Sequence, residues 1–130
     1  MASGVATSNR QCVRVLLLED CAEDAELLSL ALEAADFDVE LERTSNQASF
    51  LDALQRQTPD IVLSDAALPC FSGEEALQLV RAHAPQVPFV LLSGYVEGVR
   101  ARNPAVEACL GKEHLKQLPG LMRQLLARPD

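Results

Sequence analysis

The chain has 130 residues, 48% of them apolar and 23% charged, which suits one compact globular domain with a real core. Its net charge of −8 repels polyanions and argues against DNA or RNA as a partner. No apolar run approaches the roughly 20 residues that cross a bilayer, and residues 1–11 lack the apolar stretch of a secretion signal, so they read as a flexible N-terminal tail on a cytoplasmic protein.

The first element is Val13 to Leu18, a nearly continuous apolar run, as in a strand buried on both faces. From about Glu23 to Ala35 the residues Leu27, Leu28, Ala31, Leu32 and Ala35 recur at helical spacing. Glu23, Asp24 and Glu26 lie near that helix's start, where its dipole favours them. Val39 to Arg43 alternates apolar and charged residues, the mark of a half-exposed strand near a sheet edge. Ser45 is a candidate cap for a second helix with Ala48, Leu51 and Leu54 on one face, broken by Thr58-Pro59-Asp60.

Ile61 to Leu63 is a third strand, ending at Ser64-Asp65. Ser72 and Glu75 match a capping box, and the helix that follows turns Ala76, Leu77 and Val80 inward. Pro85 and Pro88 punctuate its end. Phe89 to Leu92 is a fourth strand, ending at Ser93-Gly94, and Ala108 to Leu110 a fifth, ending at Gly111-Lys112. Pro119 fits the first turn of a last helix whose apolar face holds Leu121, Met122, Leu125 and Leu126. This alternation predicts an α/β fold, a parallel sheet with helices on both faces.

In such sheets, function gathers outside the carboxyl ends of the strands. Strand one ends in Glu19-Asp20, strand three in Asp65, strand four in Ser93 and strand five in Lys112. Three carboxylates within about 5 Å repel by roughly 3 kcal/mol per pair at an effective dielectric of 20, so one protonates or a cation binds. Carboxylate oxygens are hard ligands that suit Mg2+, which takes phosphate oxygens as further ligands. Lys112 and Ser93 would then supply positive charge and a hydrogen bond to a phosphoryl group. Each piece alone has an ordinary reading: Asp65 and Ser93-Gly94 as turn residues, Lys112 as a surface lysine.

In order and at strand ends, the pieces resemble the receiver domains of two-component response regulators, of the chemotaxis-regulator type, from Val13 to Leu126. The matching residues are Leu18-Glu19-Asp20, Asp65 followed by Pro69 and Gly73, Ser93-Gly94 and Lys112. The resemblance implies a flavodoxin-like doubly wound five-stranded sheet of order 2-1-3-4-5, filling residues 12–128. It implies Asp65 as phosphoacceptor from a sensor histidine kinase or a histidine phosphotransfer protein. Mg2+, with Mn2+ as a second candidate, would be held by Asp20, Asp65 and the backbone carbonyl of Ala67, and Glu19 would hold a metal-bound water. Lys112 would pair with the phosphoryl group. The Ser93 hydroxyl would swing toward it and bias a two-state switch that alters binding of an output partner.

The chain departs from the family pattern in several places. Cys109 stands where an aromatic switch residue is common, and Tyr95 is placed to take over part of that role. Glu113, not proline, follows Lys112; the string from Lys112 to Pro119 resembles receivers attached to sensor kinases. Nineteen positions separate Ser93 from Lys112, about one helical turn short. With Gly98, Asn103 and Pro104 inside it, the fourth helix of the family is expected to be short or irregular here. Ala66 and Ala67 offer no side chain to position an attacking water.

Competing functions are a pseudo-receiver that binds partners without phosphate and an aspartyl phosphatase, which would need an acid where Ala67 stands. No G-x-G-x-x-G or P-loop follows strand one, which disfavours a nucleotide-binding fold. No cysteine pair has C-x-x-C spacing. Cys12 and Cys109 read as small core residues, Cys21 and Cys70 as loop residues near the active end, and His83 and His114 as surface residues.

Overall fold

The computed structural model describes residues 12–34, 38–65, 73–93 and 108–126. Its strands are β1 (Cys12–Leu18), β2 (Asp38–Thr44), β3 (Ile61–Asp65), β4 (Phe89–Ser93) and β5 (Ala108–Gly111). Its helices are α1 (Ala22–Glu33), α2 (Gln47–Arg56), α3 (Gly73–His83) and α4 (Leu118–Leu126), the last preceded by a 3-10 segment, Lys112–Gln117. All strand pairs are parallel, in the order β2-β1-β3-β4-β5. The doubly wound sheet expected from the sequence is therefore present. Residues 1–11, Ala35, Ala66, Ala67, Cys70 and Ser72, and residues 94–107, with Tyr95 and the expected short helix, all lie outside the described residues.

Strand residues alternate faces, and each face fills its own core. Val13, Val15 and Leu17 of β1 join Ile61, Leu63, Val90, Leu92 and Leu110 under α1 and α4, whose Leu28, Leu32, Leu118 and Met122 are buried. Leu16 and Leu18 turn the other way, toward Val62, Phe89 and Leu91, and are covered by Phe50, Ala53 and Leu54 of α2 and Ala76, Leu77 and Val80 of α3. Each large side chain wholly removed from water contributes about 1.5–3 kcal/mol relative to exposure.

Three local expectations are corrected. Leu27 is exposed, as is Leu30; the inward seam of α1 is Ala25, Leu28 and Leu32. Leu27 lies about 100° around the helix from Leu28 and so falls off that seam. The α2 cap is Asn46, not Ser45: Asn46 Oδ1 accepts the Ser49 N–H at 2.9 Å. The buried face of α2 is Phe50, Ala53 and Leu54, at i, i+3 and i+4, and Ala48 is exposed. Cys12 is exposed, because it shares its face with Arg14 at the uncovered entrance of β1. Cys21 and Cys109 are half-buried, and both histidines are exposed as expected.

β2 is an edge strand, as its alternation predicted. Asp38, Glu40 and Glu42 face water along it, which discourages pairing with another chain. Glu40 pairs with Arg14 at 2.9 Å, and Arg56 reaches Glu42 at 2.9 Å and Asp52 at 3.1 Å. Glu42 first, then Asp52, raises the Arg56 pKa above its ordinary value. Water screens these pairs, so they contribute little to stability.

Candidate functional site

The strands end in step. Leu18 of β1 pairs with Ser64 of β3, so Glu19 and Asp65 are the next residues along neighbouring strands. Asp65 pairs with Leu92, one residue before Ser93; Ser93 pairs with Gly111, one residue before Lys112. The backbone thus brings the predicted strand-end positions to one rim. β1 has β2 on one side and β3 on the other, so the rim lies where the strand order reverses, the usual ligand crevice of doubly wound sheets.

One carboxylate oxygen from each of Glu19, Asp20 and Asp65 lies within 4.8 Å of the others. Glu19 is 2% exposed and Asp65 8%, whereas Asp20 faces water. The buried pair dominates the electrostatics: two ionised carboxylates this close repel by roughly 3 kcal/mol at an effective dielectric of 20, while Asp20 is screened. Glu19 and Asp24 line a cavity of about 30 Å3 together with Leu27, Leu28, Leu92 and Leu115, so this side of Glu19 is mainly apolar but holds a second acidic residue. Converging hard oxygens, two of them buried and one open to water, fit a hard divalent cation better than a softer metal that prefers nitrogen or sulfur.

Two β2 residues hold the acid pair from the side. Thr44 donates its hydroxyl to the Leu17 carbonyl at 3.0 Å, and its own carbonyl accepts the Glu19 N–H at 2.9 Å. Arg43 donates from Nε to the Glu19 carbonyl at 3.0 Å and from Nη2 to the Asp20 carbonyl at 3.2 Å. The Glu19 side chain is tied to its own loop as well, accepting the Cys21 N–H on Oε2 at 3.2 Å. Sequence reasoning did not single out Arg43 or Thr44. The available signal was their place at the end of an edge strand, where register sets them beside Leu17 and Leu18.

Of the other predicted site residues, Ser93 closes β4 and Lys112 opens the 3-10 segment after β5. Cys109 lies within β5, opposite Leu91, and packs against the α2–α3 core. Ala67 and Tyr95 fall outside the described residues.

Sheet order, switch point and acidic rim define a receiver-type α/β domain with a candidate divalent-cation site. The chain belongs to the response regulator receiver domain family, whose model matches residues 15–118. It is 32% identical over 136 residues to the sensor kinase CckA of Brucella abortus, an alignment that takes in 96% of this chain and 14% of the kinase. The chain therefore spans a small part of that relative. In fold it is similar to a Chloroflexus aurantiacus chain described as a response regulator, with TM-score 0.79, 23% identity and coverage of 91% of this chain and 100% of that one. It is also similar to the receiver domain of a sensor histidine kinase from Pseudomonas aeruginosa, with TM-score 0.76, 20% identity and coverage of 88% and 97%. That domain is described with a magnesium ion coordinated in its active site cleft. Among the described residues, no helix is long and apolar enough to cross a membrane.

Proposed function

We propose that this chain takes a phosphoryl group onto Asp65 from a phosphohistidine of a sensor kinase or a histidine phosphotransfer protein, in the presence of Mg2+ or Mn2+. The observation that carries this reading is the convergence of Glu19, Asp20 and Asp65 within 4.8 Å at the switch point of a receiver fold. Family membership and the magnesium described in the Pseudomonas aeruginosa receiver support it.

In this reading Asp20 and Asp65 would hold the cation with the Ala67 carbonyl, and Glu19 would hold a water bound to it. The cation would supply charge neutralisation for the carboxylates and polarisation of the phosphoryl oxygens. An Asp65 oxygen attacks phosphorus, the phosphorus–nitrogen bond of the donor breaks, and the imidazole leaves with the electron pair and takes up a proton. Lys112 balances charge on the phosphoryl group, and the Ser93 hydroxyl donates to it. Ser93, Tyr95 and Cys109 then carry the change to an output partner. The chain acts as a signalling module that catalyses only its own phosphorylation and hydrolysis, in the cytoplasm, with the domain filling residues 12–128.

The test is incubation with Mg2+ and acetyl phosphate followed by a phosphate-affinity gel. A retarded band that Asp65→Asn abolishes is the expected result. No retarded band at any donor concentration would favour a pseudo-receiver, the reading to which the short spacing from Ser93 to Lys112 points.

A further inference from the structure

The acid pair sits on a turn between β1 and α1 that must present two carboxylates at one point despite their repulsion. Arg43 spans that turn from outside. Its Nε and Nη2 reach the backbone carbonyls of two successive residues, Glu19 at 3.0 Å and Asp20 at 3.2 Å. A planar guanidinium can bind two such oxygens only in a fixed relative orientation. The bonds go to the backbone, so they fix where the two side chains leave the chain. Thr44 and the Glu19 N–H continue the same attachment inward.

We propose that Arg43 is a positioning residue for the cation, holding the Glu19–Asp20 turn in the conformation that closes on Asp65 and so setting divalent-cation affinity. The inference rests on the metal-dependent reading given above. Two effects of Arg43 oppose each other. As a positive charge near the site, it weakens cation binding; as a clamp, it strengthens it by removing freedom that binding would otherwise have to remove. Arg43 is exposed, so water screens the charge effect, whereas the paired hydrogen bonds act locally. The clamp therefore wins. Outer-shell partners of metal ligands are worth roughly 10- to 100-fold in affinity, and an exposed one belongs at the lower end.

The experiment is a Mg2+ titration of the unphosphorylated full chain, followed by the amide resonances of Glu19, Asp20 and Asp65. The parent, Arg43→Met and Arg43→Lys are compared, with melting curves taken in EDTA. Arg43→Met keeps much of the apolar stem and removes charge and donors together. It is expected to bind Mg2+ about tenfold more weakly. Arg43→Lys, which can reach a carbonyl but has no fork, is expected to recover part of the loss while matching Arg43→Met in melting temperature. If Arg43→Met binds Mg2+ as tightly as the parent or more tightly, the clamp is refuted and the cation site stands. If Arg43→Lys recovers nothing, the donors are not what matters and the inference also fails. If the parent itself shows no response to Mg2+, the metal-dependent reading falls and takes this one with it.

Discussion

Glu19 and Asp65 occupy the next positions past the paired Leu18 and Ser64, so two parallel strands deliver two buried carboxylates to one point. Nothing in core packing asks for this. An apolar pair there would bury more cheaply. On the metal-dependent reading proposed above, the two carboxylates repel each other in the cation-free state and a bound cation would relieve that repulsion.

Asp65→Asn should therefore raise stability in EDTA, by about 1 kcal/mol, once water and relaxation have reduced the full Coulomb repulsion. Urea melts in EDTA measure it. A less stable variant would mean that the Asp65 carboxylate contributes more through its favourable contacts than repulsion costs.

The parent should in turn be stabilised by Mg2+. At a hundredfold excess over the dissociation constant the gain is about 2.7 kcal/mol. The same Mg2+ should leave Asp65→Asn with a clearly smaller gain in the same urea melts. Equal gains in both proteins would put the cation elsewhere.

Thr44→Val should cost about 1 kcal/mol, because a buried hydroxyl that donates to the Leu17 carbonyl is lost from a well-packed position. It should also shift the Glu19 amide resonance, whose N–H bonds to the Thr44 carbonyl. A neutral variant with an unmoved Glu19 resonance would show that the Thr44 hydroxyl does not help to place the acid turn.

Much of this fold was legible because buried parallel strands read as short apolar runs and their ends as abrupt polar residues. Ile61–Asp65 and Phe89–Ser93 are of that kind. The edge strand was legible for the opposite reason, its alternation of Val39, Glu40, Leu41 and Glu42. Helix faces were harder. Leu27 is as apolar as Leu28, and only the packed seam distinguishes them. Asn46 and Ser45 are equally good caps by type, and Phe50 shares the buried face with Ala53 and Leu54 by its i, i+3, i+4 spacing. Cys12 was misplaced because a strand's entrance is less covered than its middle. Among site residues, Glu19, Asp20 and Asp65 stood out by chemistry at strand ends. Arg43 did not, since its role depends on the register of two strands far apart in sequence.

That cap can be checked directly. Asn46→Ala should destabilise the domain by about 1 kcal/mol, while Ser45→Ala should stay within about 0.5 kcal/mol of the parent. Thermal melts of both variants decide it; the reverse ranking would restore Ser45 as the cap.

Ala66 and Ala67, the two residues after Asp65 in the sequence, carry no polar side chain, so on the proposed reading hydrolysis of the phosphorylated form should be slow. Ala67→Asn should shorten the lifetime of the aspartyl phosphate several-fold, followed by decay of the retarded gel band after donor removal. An unchanged or longer lifetime would show that water at the site is oriented by other groups.

The most direct measurement is intact mass after exposure to acetyl phosphate, taken in parallel with Mg2+ and with EDTA and followed by peptide mapping. One added phosphoryl group, present only with the cation and mapped to Asp65, is the predicted result. An adduct that forms equally well in EDTA, or that maps to another residue, would contradict the account.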